Sequence, residues 1–337
     1  MEVEDEYEEI RRLVETLEGA VVGHLIQRRA RAHPESCLGP GKAGELEALC
    51  ETEDIDTVVF DGKLSPTQIA HLEHLTGAHV MDRTELILEI FARRAKTAEA
   101  KIQVELAYLD YVHPKMSQGR TVRAKRGGLR GFGESALGKK MRAGSQRAAT
   151  LRKELKKIET RREGRLKRRA DAKTVALMGY TNAGKSTLLN ALSGEKLYAD
   201  NRLFATLDTT TRRVHLCENQ CALISDTVGF VRNLPHELVA SFRSTLSEAL
   251  ASDLLLHIAD ASAQALRHQM EAVLQTLQEL GAEDKQILLV FNKIDATGQE
   301  TASYLRSRYP EANFVSAISK EGLTELKEAI YQELLPS

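Results

Sequence analysis

Residues Gly179 to Ser186 read Gly-Tyr-Thr-Asn-Ala-Gly-Lys-Ser, and no other stretch of the chain restricts its fold so sharply. The spacing G-x-x-x-x-G-K-[ST] is a phosphate-binding loop only where an apolar strand feeds it and a helix leaves it. Both are present: Val175-Ala176-Leu177-Met178 precede the loop and Leu188-Leu189-Asn190-Ala191-Leu192 follow it. A strand, a tight glycine turn and a helix in that order call for an α/β unit on a mostly parallel sheet. Backbone N–H groups of Gly179, Tyr180, Thr181, Asn182, Ala183 and Gly184, with the helix N-terminus behind them, are then aimed at phosphates. Lys185 neutralises the β/γ oxygens, Ser186 offers its hydroxyl to Mg²⁺, and Thr187 follows in the first helical turn.

The rest of the C-terminal half supports that reading. Strand candidates are Thr174–Gly179, Arg212–Glu218, Cys221–Thr227, Asp253–Asp260, Gln286–Asn292 and Asn313–Ser316, with helical patterns at Pro235–Leu250 and Ala263–Leu280. Strands alternating with helices give a parallel sheet covered on both faces. Ligands of such sheets bind beyond the carboxyl ends of the strands. Gly179, Asp226, Asn292 and Ser316 all fall there.

Those positions carry distinct chemistry. Asn292-Lys293-Ile294-Asp295 names the base: the Asp295 carboxylate can accept guanine N1–H and N2–H in one plane, and adenine offers neither donor. Asn292 is suited to tie the base loop to the phosphate loop, and Lys293 to lay its alkyl stem over the base. Ser316-Ala317-Ile318 supplies N–H groups for guanine O6. Asp226-Thr227-Val228-Gly229 is expected to hold Mg²⁺ through a water at Asp226 and to sense the γ-phosphate at the Gly229 N–H. The first switch falls in Phe204-Ala205-Thr206-Leu207-Asp208-Thr209-Thr210-Thr211-Arg212. Thr206 is the preferred Mg²⁺ ligand there, although spacing alone also admits Thr209, Thr210 and Thr211. GTP and GDP are the expected ligands, with Lys185, Thr206 and Gly229 nearest the reacting phosphate.

Position 230 is where Ras-type GTPases carry a water-orienting glutamine. Phe230 cannot hydrogen-bond water, so slow intrinsic hydrolysis and acceleration by a partner are expected. Arg202, Arg212 and Arg213 are conceivable contributors in cis but read rather as solvated switch-loop charges or partner contacts, and His257, inside Leu-Leu-Leu-His-Ile-Ala-Asp, reads as a core histidine and not a catalytic base.

Upstream, Asp82 to Ala170 reads as two long helices. Leu86, Ile90, Ile102, Leu106 and Leu109 recur at helical spacing in one, and Leu151, Leu155 and Ile158 in the other. A Gly- and Lys/Arg-rich stretch from about His113 to Ala143 separates them, which suggests an antiparallel hairpin with a basic tip. Net charge is −1 overall, yet between Arg120 and Lys173 20 Lys/Arg face 5 Asp/Glu. That excess offers many phosphate contacts, and with Phe132 as the sole aromatic there, shape and phosphate recognition of RNA outrank base stacking.

The N-terminal segment contains a strand-like Val21–Ile26, a Gly-rich loop Leu38–Gly44, a strand Thr57–Phe60 and a helix capped by Ser65 with Pro66 in its first position. Residues 1 to 12 are expected to fray. The organisation is thus a small α/β domain at 1–81, a helical linker hairpin at 82–170 and a nucleotide domain at 171–337. No window of about 20 apolar residues marks a membrane span, and the acidic start is unlike a secretory signal. The 4 cysteines are too few for a disulfide framework, and Cys217 and Cys221 read as flanking a turn at Glu218-Asn219-Gln220 rather than as zinc ligands. A cytoplasmic protein, favoured as a monomer, is expected.

Several longer strings resemble the HflX family of ribosome-associated GTPases. They are GPGKAGEL at Gly39–Leu46, LSPTQIAHLE at Leu64–Glu73, DRTELILEIFARRAKTAEAKIQVELAYLDY at Asp82–Tyr111, LFATLDTTTRR at Leu203–Arg213 and DTVGFVRNLPHELVASFRSTLSEA at Asp226–Ala249. The resemblance implies a small N-terminal α/β domain, a helical linker and a GTPase domain. It further implies binding to the large ribosomal subunit and its rRNA, stimulation of GTP hydrolysis there, and in some members splitting of stalled ribosomes. It assigns the switch Mg²⁺ ligand to the threonine of FATLD, which is Thr206. The chain departs from the family pattern at Gly131–Gly144, where GFGESALGKKMRAG replaces a GPGETQLE-like string, and at Thr209, which replaces a proline. It stops at Ser337, so a C-terminal extension is not expected.

Overall fold

A computed structural model of the 337-residue chain describes residues 2–29, 31–126, 143–158, 160, 172–194, 203–204, 206–207, 209–217, 220–232, 249–282 and 284–335. Two compact units emerge, one formed by Glu6–Arg93 with Lys101–Ile158, the other by Met1–Asp5, Arg94–Ala100 and Glu159–Ser337.

In the first unit, helix α1 (Glu2–Thr16) occupies the stretch expected to fray. Its acidic composition is offset by ion pairs at helical spacing, Arg11 with Glu8 and Glu15 and Arg12 with Glu8, and Leu13 is fully buried. Glu9 also meets the buried Arg83 at 2.8 Å. The strand expected at Val21–Ile26 does not form. Val21, Val22 and Ile26 are 36, 59 and 45% exposed, and apolar residues in a row make a strand only where a neighbour completes the ladder. Gln27 instead ties the segment down, accepting from Gly39 N–H (2.6 Å) and donating to the Cys37 carbonyl. The Gly-rich loop at Leu38–Gly44 is shorter than expected because Pro40 opens helix α2 (Pro40–Thr52).

Strand β1 (Thr57–Phe60), helix α3 (Pro66–Thr76) and strand β2 (His79–Asp82) follow, the two strands pairing in parallel. Ser65 and Gln68 form a reciprocal capping box on α3, and Gly77 ends it at φ 70°. The single long helix expected from Asp82 divides into α4 (Arg83–Arg94) and α5 (Ala98–Arg126). Thr97 Oγ1 accepts the Ala100 N–H and restarts the helix. Asp82 is fully buried and accepts from Leu64 N–H, Glu85 N–H, the Tyr111 hydroxyl and the Lys115 ammonium. One carboxylate thereby anchors the starts of α3 and α4 and the flank of α5. A further helix, α6 (143–158), packs Ala148 and Leu151 against Leu106, with Ile102, Leu109 and Leu155 around them. Arg147 pairs with Glu105 and Arg152 with Asp110 beside that seam. The stretch expected from about His113 to Ala143 as a basic, Gly-rich tip is helical in its first part, since α5 continues to Arg126, and its residues 127–142 lie outside the described residues.

In the second unit six strands make a sheet in the order β4-β5-β3-β6-β7-β8. They are β3 (Lys173–Gly179), β4 (Thr210–His215), β5 (Cys221–Asp226), β6 (Leu254–Asp260), β7 (Ile287–Asn292) and β8 (Asn313–Phe314). All neighbours run parallel except β4 against β5. Helices α7 (Lys185–Ser193), α8 (Leu266–Glu279), α9 (Gln299–Arg308) and α10 (Leu323–Leu334) complete the described part. Val175, Leu177, Leu256, Ile258 and Val290 pack with Leu188, Leu189, Leu326 and Ile330, while Ala259 and Phe291 pack with Leu305 in a separate cluster. Of the helix expected at Pro235–Leu250, only residues 249 and 250 are described, and they are helical. Around the expected Cys217–Cys221 turn, the Gln220 N–H bonds the Cys217 carbonyl and Cys221 Sγ lies 3.1 Å from His215 Nδ1. No helix among the described residues is long and apolar enough to cross a membrane.

Candidate phosphate and base site

Strand β3 delivers Gly179 at its carboxyl end, and two glycines shape the loop that follows. A Cβ on Gly179 would collide with the Ile258 carbonyl oxygen, and one on Gly184, at φ 87°, with Nδ2 of Asn292. These close approaches explain the glycines of the motif. Lys185 is buried, and its ammonium donates to the carbonyls of Gly179 and Tyr180 at 3.1 Å each. Burial lowers its pKa to about 8 against the opposing pull of Asp226.

Three oxygen donors from separate elements converge beside it. Ser186 Oγ, at the start of α7, donates to Asp226 Oδ2 at 2.5 Å and lies 2.7 Å from Thr206 Oγ1. Asp226 is buried at the end of β5, and its other oxygen, Oδ1, has no hydrogen-bond partner among the described residues. Desolvation raises the Asp226 pKa, while the Lys185 charge and the Ser186 and Thr206 hydroxyls pull it back down. Hydroxyl and carboxylate oxygens with one carboxylate oxygen left unpaired are the donor set of a hard divalent cation such as Mg²⁺. The residues fit that ion.

The neighbouring segments are tied to the phosphate loop through its variable positions. Phe204, fully buried with φ 54°, donates its N–H to Thr181 Oγ1. Phe230 N–H donates to the Gly179 carbonyl, and the Thr181 N–H donates to the Phe230 carbonyl at 2.6 Å. The Arg232 N–H reaches the Tyr180 hydroxyl at 2.8 Å. Gly229 lies so close that a Cβ there would stand 2.8 Å from Thr181 Cα and 3.1 Å from Lys185 Nζ. The Thr227 hydroxyl turns away from this group to the Leu177 carbonyl and secures the segment to β3. Val228 and Leu207 are buried, Asn182 takes φ 62°, and Thr187 is half-buried in α7. Ala205, Asp208 and Arg202 lie outside the described residues. Arg212 and Arg213 stand on β4. His257 is buried on β6, and desolvation, with a smaller contribution from the Lys185 charge, lowers its pKa to about 4.

At the other end of the site Asn292 is almost fully buried. It donates to the Ala183 carbonyl at 2.9 Å, tying the base loop to the phosphate loop, and also accepts the Ala317 N–H at 3.1 Å, a link to the 316–318 loop that the sequence did not announce. Ser316 closes that loop by accepting the Ser319 N–H, and Ile318 is 75% exposed. Asp295 is exposed on the 3₁₀ turn Ile294–Ala296, whose Ile294 N–H bonds the Val315 carbonyl. Sequence reasoning missed Asp260, which lies opposite Asn292 in the β6–β7 register and pairs with Lys293 at 2.7 Å. A carboxylate closing an apolar strand was the available signal.

Three family models match successive parts of the chain. A family model described as GTP-binding GTPase N-terminal matches residues 4–92, one described as GTP-binding GTPase Middle Region matches 94–169, and one described as 50S ribosome-binding GTPase matches 174–293. The chain is 42% identical to the GTPase HflX of Escherichia coli strain K12 over 313 residues, covering 91% of this chain and 74% of that one. It is 41% identical to the GTPase HflX of Alkalihalophilus pseudofirmus over 338 residues, covering 99% and 79%. A GTP-binding protein from Sulfolobus solfataricus, solved in complex with GDP, is similar in structure with a TM-score of 0.50 at 26% identity, covering 97% of this chain and 94% of that one.

Proposed function

Because the chain belongs to the HflX family of GTPases, we propose that its hydrolysis of GTP to GDP and phosphate is coupled to binding of the large ribosomal subunit, in ribosome splitting, rescue or recycling. The convergence of Ser186, Thr206 and Asp226 beside Lys185 carries the catalytic part of this reading. Those three residues would hold Mg²⁺, Asp226 through a water, and the bound ion would neutralise charge developing on the phosphates. Lys185 meets the β/γ oxygens, and the Gly229 N–H faces the γ-phosphate. Asp295 accepts the guanine N1–H and N2–H, Lys293 lies along the base, and the 316–318 loop serves O6 through the Ile318 N–H, the Ala317 N–H being held by Asn292. The remaining described loop and switch residues named from the sequence, Gly179 to Thr187 with Phe204, Thr206 and Leu207, would line the phosphates.

Match to a 50S ribosome-binding GTPase model over residues 174–293 supports the ribosomal partner. The basic stretch from Arg120 to Lys173 supports contact with rRNA. We divide the chain functionally into the small α/β domain at 1–81, the helical hairpin at 82–170 and the GTPase domain at 171–337, acting as a cytoplasmic monomer. A second reading, an rRNA-binding occupancy factor with incidental turnover, draws on Phe230, whose side chain is buried and brings no hydrogen bond to a water.

GTP turnover with and without purified large subunits, across a salt series, tests the proposal. Strong, salt-sensitive stimulation is expected. Tight GTP binding without stimulation would favour the occupancy factor. Asp295→Asn should shift preference from guanosine to xanthosine nucleotides, and its failure to do so would remove the base assignment.

A further inference from the structure

We propose that Asp260 is a positioning residue of the base site, holding the Lys293 ammonium so that the lysine stem is set as one wall for the purine before nucleotide arrives. The inference rests on the guanine-site reading above and deepens it. Asp260 ends β6 directly across the register from Asn292, so its carboxylate emerges beside the base-binding turn. Its two oxygens divide their work. Oδ1 accepts from the Ser262 N–H at 3.0 Å and from the Ser262 hydroxyl at 2.6 Å, which fixes the plane of the group. Oδ2 is left to accept the Lys293 ammonium at 2.7 Å.

Lys293 has unusual geometry of its own. Its backbone stands at φ 65°, and its carbonyl is taken by the Ala296 N–H and the Thr297 hydroxyl. A Cβ on Gly184 would come 3.8 Å from Lys293 Cε, so the stem runs along the last glycine of the phosphate loop before it ends on Asp260. Both side chains are mostly sheltered, at 26% and 15% exposure, so the pair is less screened than a surface ion pair. A four-carbon lysine stem left loose would have to be ordered by each arriving nucleotide. Anchoring its end in the free protein removes that cost from binding. The motif supplies the lysine, and Asp260 supplies its orientation.

The test uses the full chain and separates the base from the phosphates. Asp260→Asn keeps an acceptor for Ser262 but removes the charge facing Lys293. Affinities for GDP, and for Mg²⁺ with tripolyphosphate as a ligand without a base, are read by displacement of a fluorescent GDP. We expect Asp260→Asn to weaken GDP by roughly five- to tenfold, and to leave tripolyphosphate within about twofold. Lys293→Met should weaken GDP similarly, and the double variant should be no worse than Lys293→Met alone. Asp260→Glu should recover part of the loss. An equal loss for GDP and tripolyphosphate, strict additivity of the two substitutions, or normal GDP binding by Asp260→Asn would each overturn the proposal. Should Asp295→Asn fail to favour xanthosine nucleotides, the base-site reading falls first. If it does favour them while Asp260→Asn binds GDP normally, only the role given to Asp260 falls.

Discussion

Asn292→Ala separates a residue that touches nucleotide from one that assembles the place where nucleotide binds. The side chain is 1% exposed and spans two loops far apart in the sequence, bonding the Ala183 carbonyl at 2.9 Å and the Ala317 N–H at 3.1 Å. Truncation removes both partners at once. Ala183 and Ala317 are themselves 1% and 8% exposed, so water reaches the orphaned groups poorly. Each unmet buried group costs about 1–3 kcal/mol, giving about 2–5 kcal/mol in total with some relief if a water enters the gap. That is a large share of the 5–15 kcal/mol typical of a domain.

Asn292→Asp is the informative control, because it fills the same volume and can still accept from Ala317. Its second oxygen would face the Ala183 carbonyl, acceptor against acceptor, so it should do no better than alanine. Hydrogen exchange on the full chain reads the local effect, since the amides of β7 and the 315–319 loop should lose protection in both variants. GDP affinity, measured in parallel, should fall at least tenfold, or about 1.4 kcal/mol. A loss of protection below about 1 kcal/mol together with GDP binding within twofold of the parent would refute this accounting, whose terms are the buried-group costs themselves.

Three further outcomes follow from the same geometry. Lys185 has a folded pKa of about 8 against an ordinary 10.5, so nucleotide affinity should be flat below pH 8 and fall above it, where the ammonium must first regain its proton; calorimetry at pH 8.5 in two buffers of different ionisation enthalpy should register proton uptake. His257, lowered from 6.5 to about 4 by burial, stays neutral in the fold while the unfolded chain protonates. Stability should therefore drop as pH falls from about 6.5 towards 4, by about 3 kcal/mol, and His257→Leu should flatten that slope in denaturant titrations. Gly229→Ala brings a Cβ to 2.8 Å from the Thr181 backbone, so single-turnover GTP hydrolysis should slow by roughly tenfold or more as loop and switch are pushed apart.

Local rules were enough wherever one residue's job was set by its immediate neighbours. Ser65, Pro66 and Gln68 announce a helix start and make one. The apolar runs of β3, β6 and β7 lie within a residue of their expected limits because strands buried on both faces carry a continuous signal. Val21–Ile26 shows the converse. Its side chains suit a strand, but a strand is a property of a pair, and the sequence does not state who the neighbour is. The break between α4 and α5 was missed because each arm keeps helical spacing of its own, although the stripe of Leu86 and Ile90 is out of phase with that of Ile102, Leu106 and Leu109, and the Thr97 hydroxyl caps the restart. In the site, motif positions were legible, while the Thr181 bridge to Phe204 and Phe230 was not. Its partners on the switch side are the backbone groups of Phe204 and Phe230, met by the Thr181 hydroxyl and N–H, and backbone groups have no signature in side-chain identity.

That bridge bears on how hydrolysis must work here. Phe230 is 1% exposed, and both its N–H and its carbonyl are engaged with the phosphate loop. Neither side chain nor backbone of residue 230 is therefore free to orient an attacking water in this arrangement. A glutamine at the same position would bring that capacity with the sequence; phenylalanine brings only burial, which resists displacement. An activator of this GTPase would have two tasks, to draw the Gly229-Phe230 segment off Gly179 and Thr181 and to supply the polar group that residue 230 lacks. A partner that performed only the first would expose the phosphates without speeding their transfer. Stimulation by a partner surface should accordingly depend on a donor or acceptor delivered from that surface, and substitutions that remove that group from the partner should abolish the stimulation while leaving binding intact.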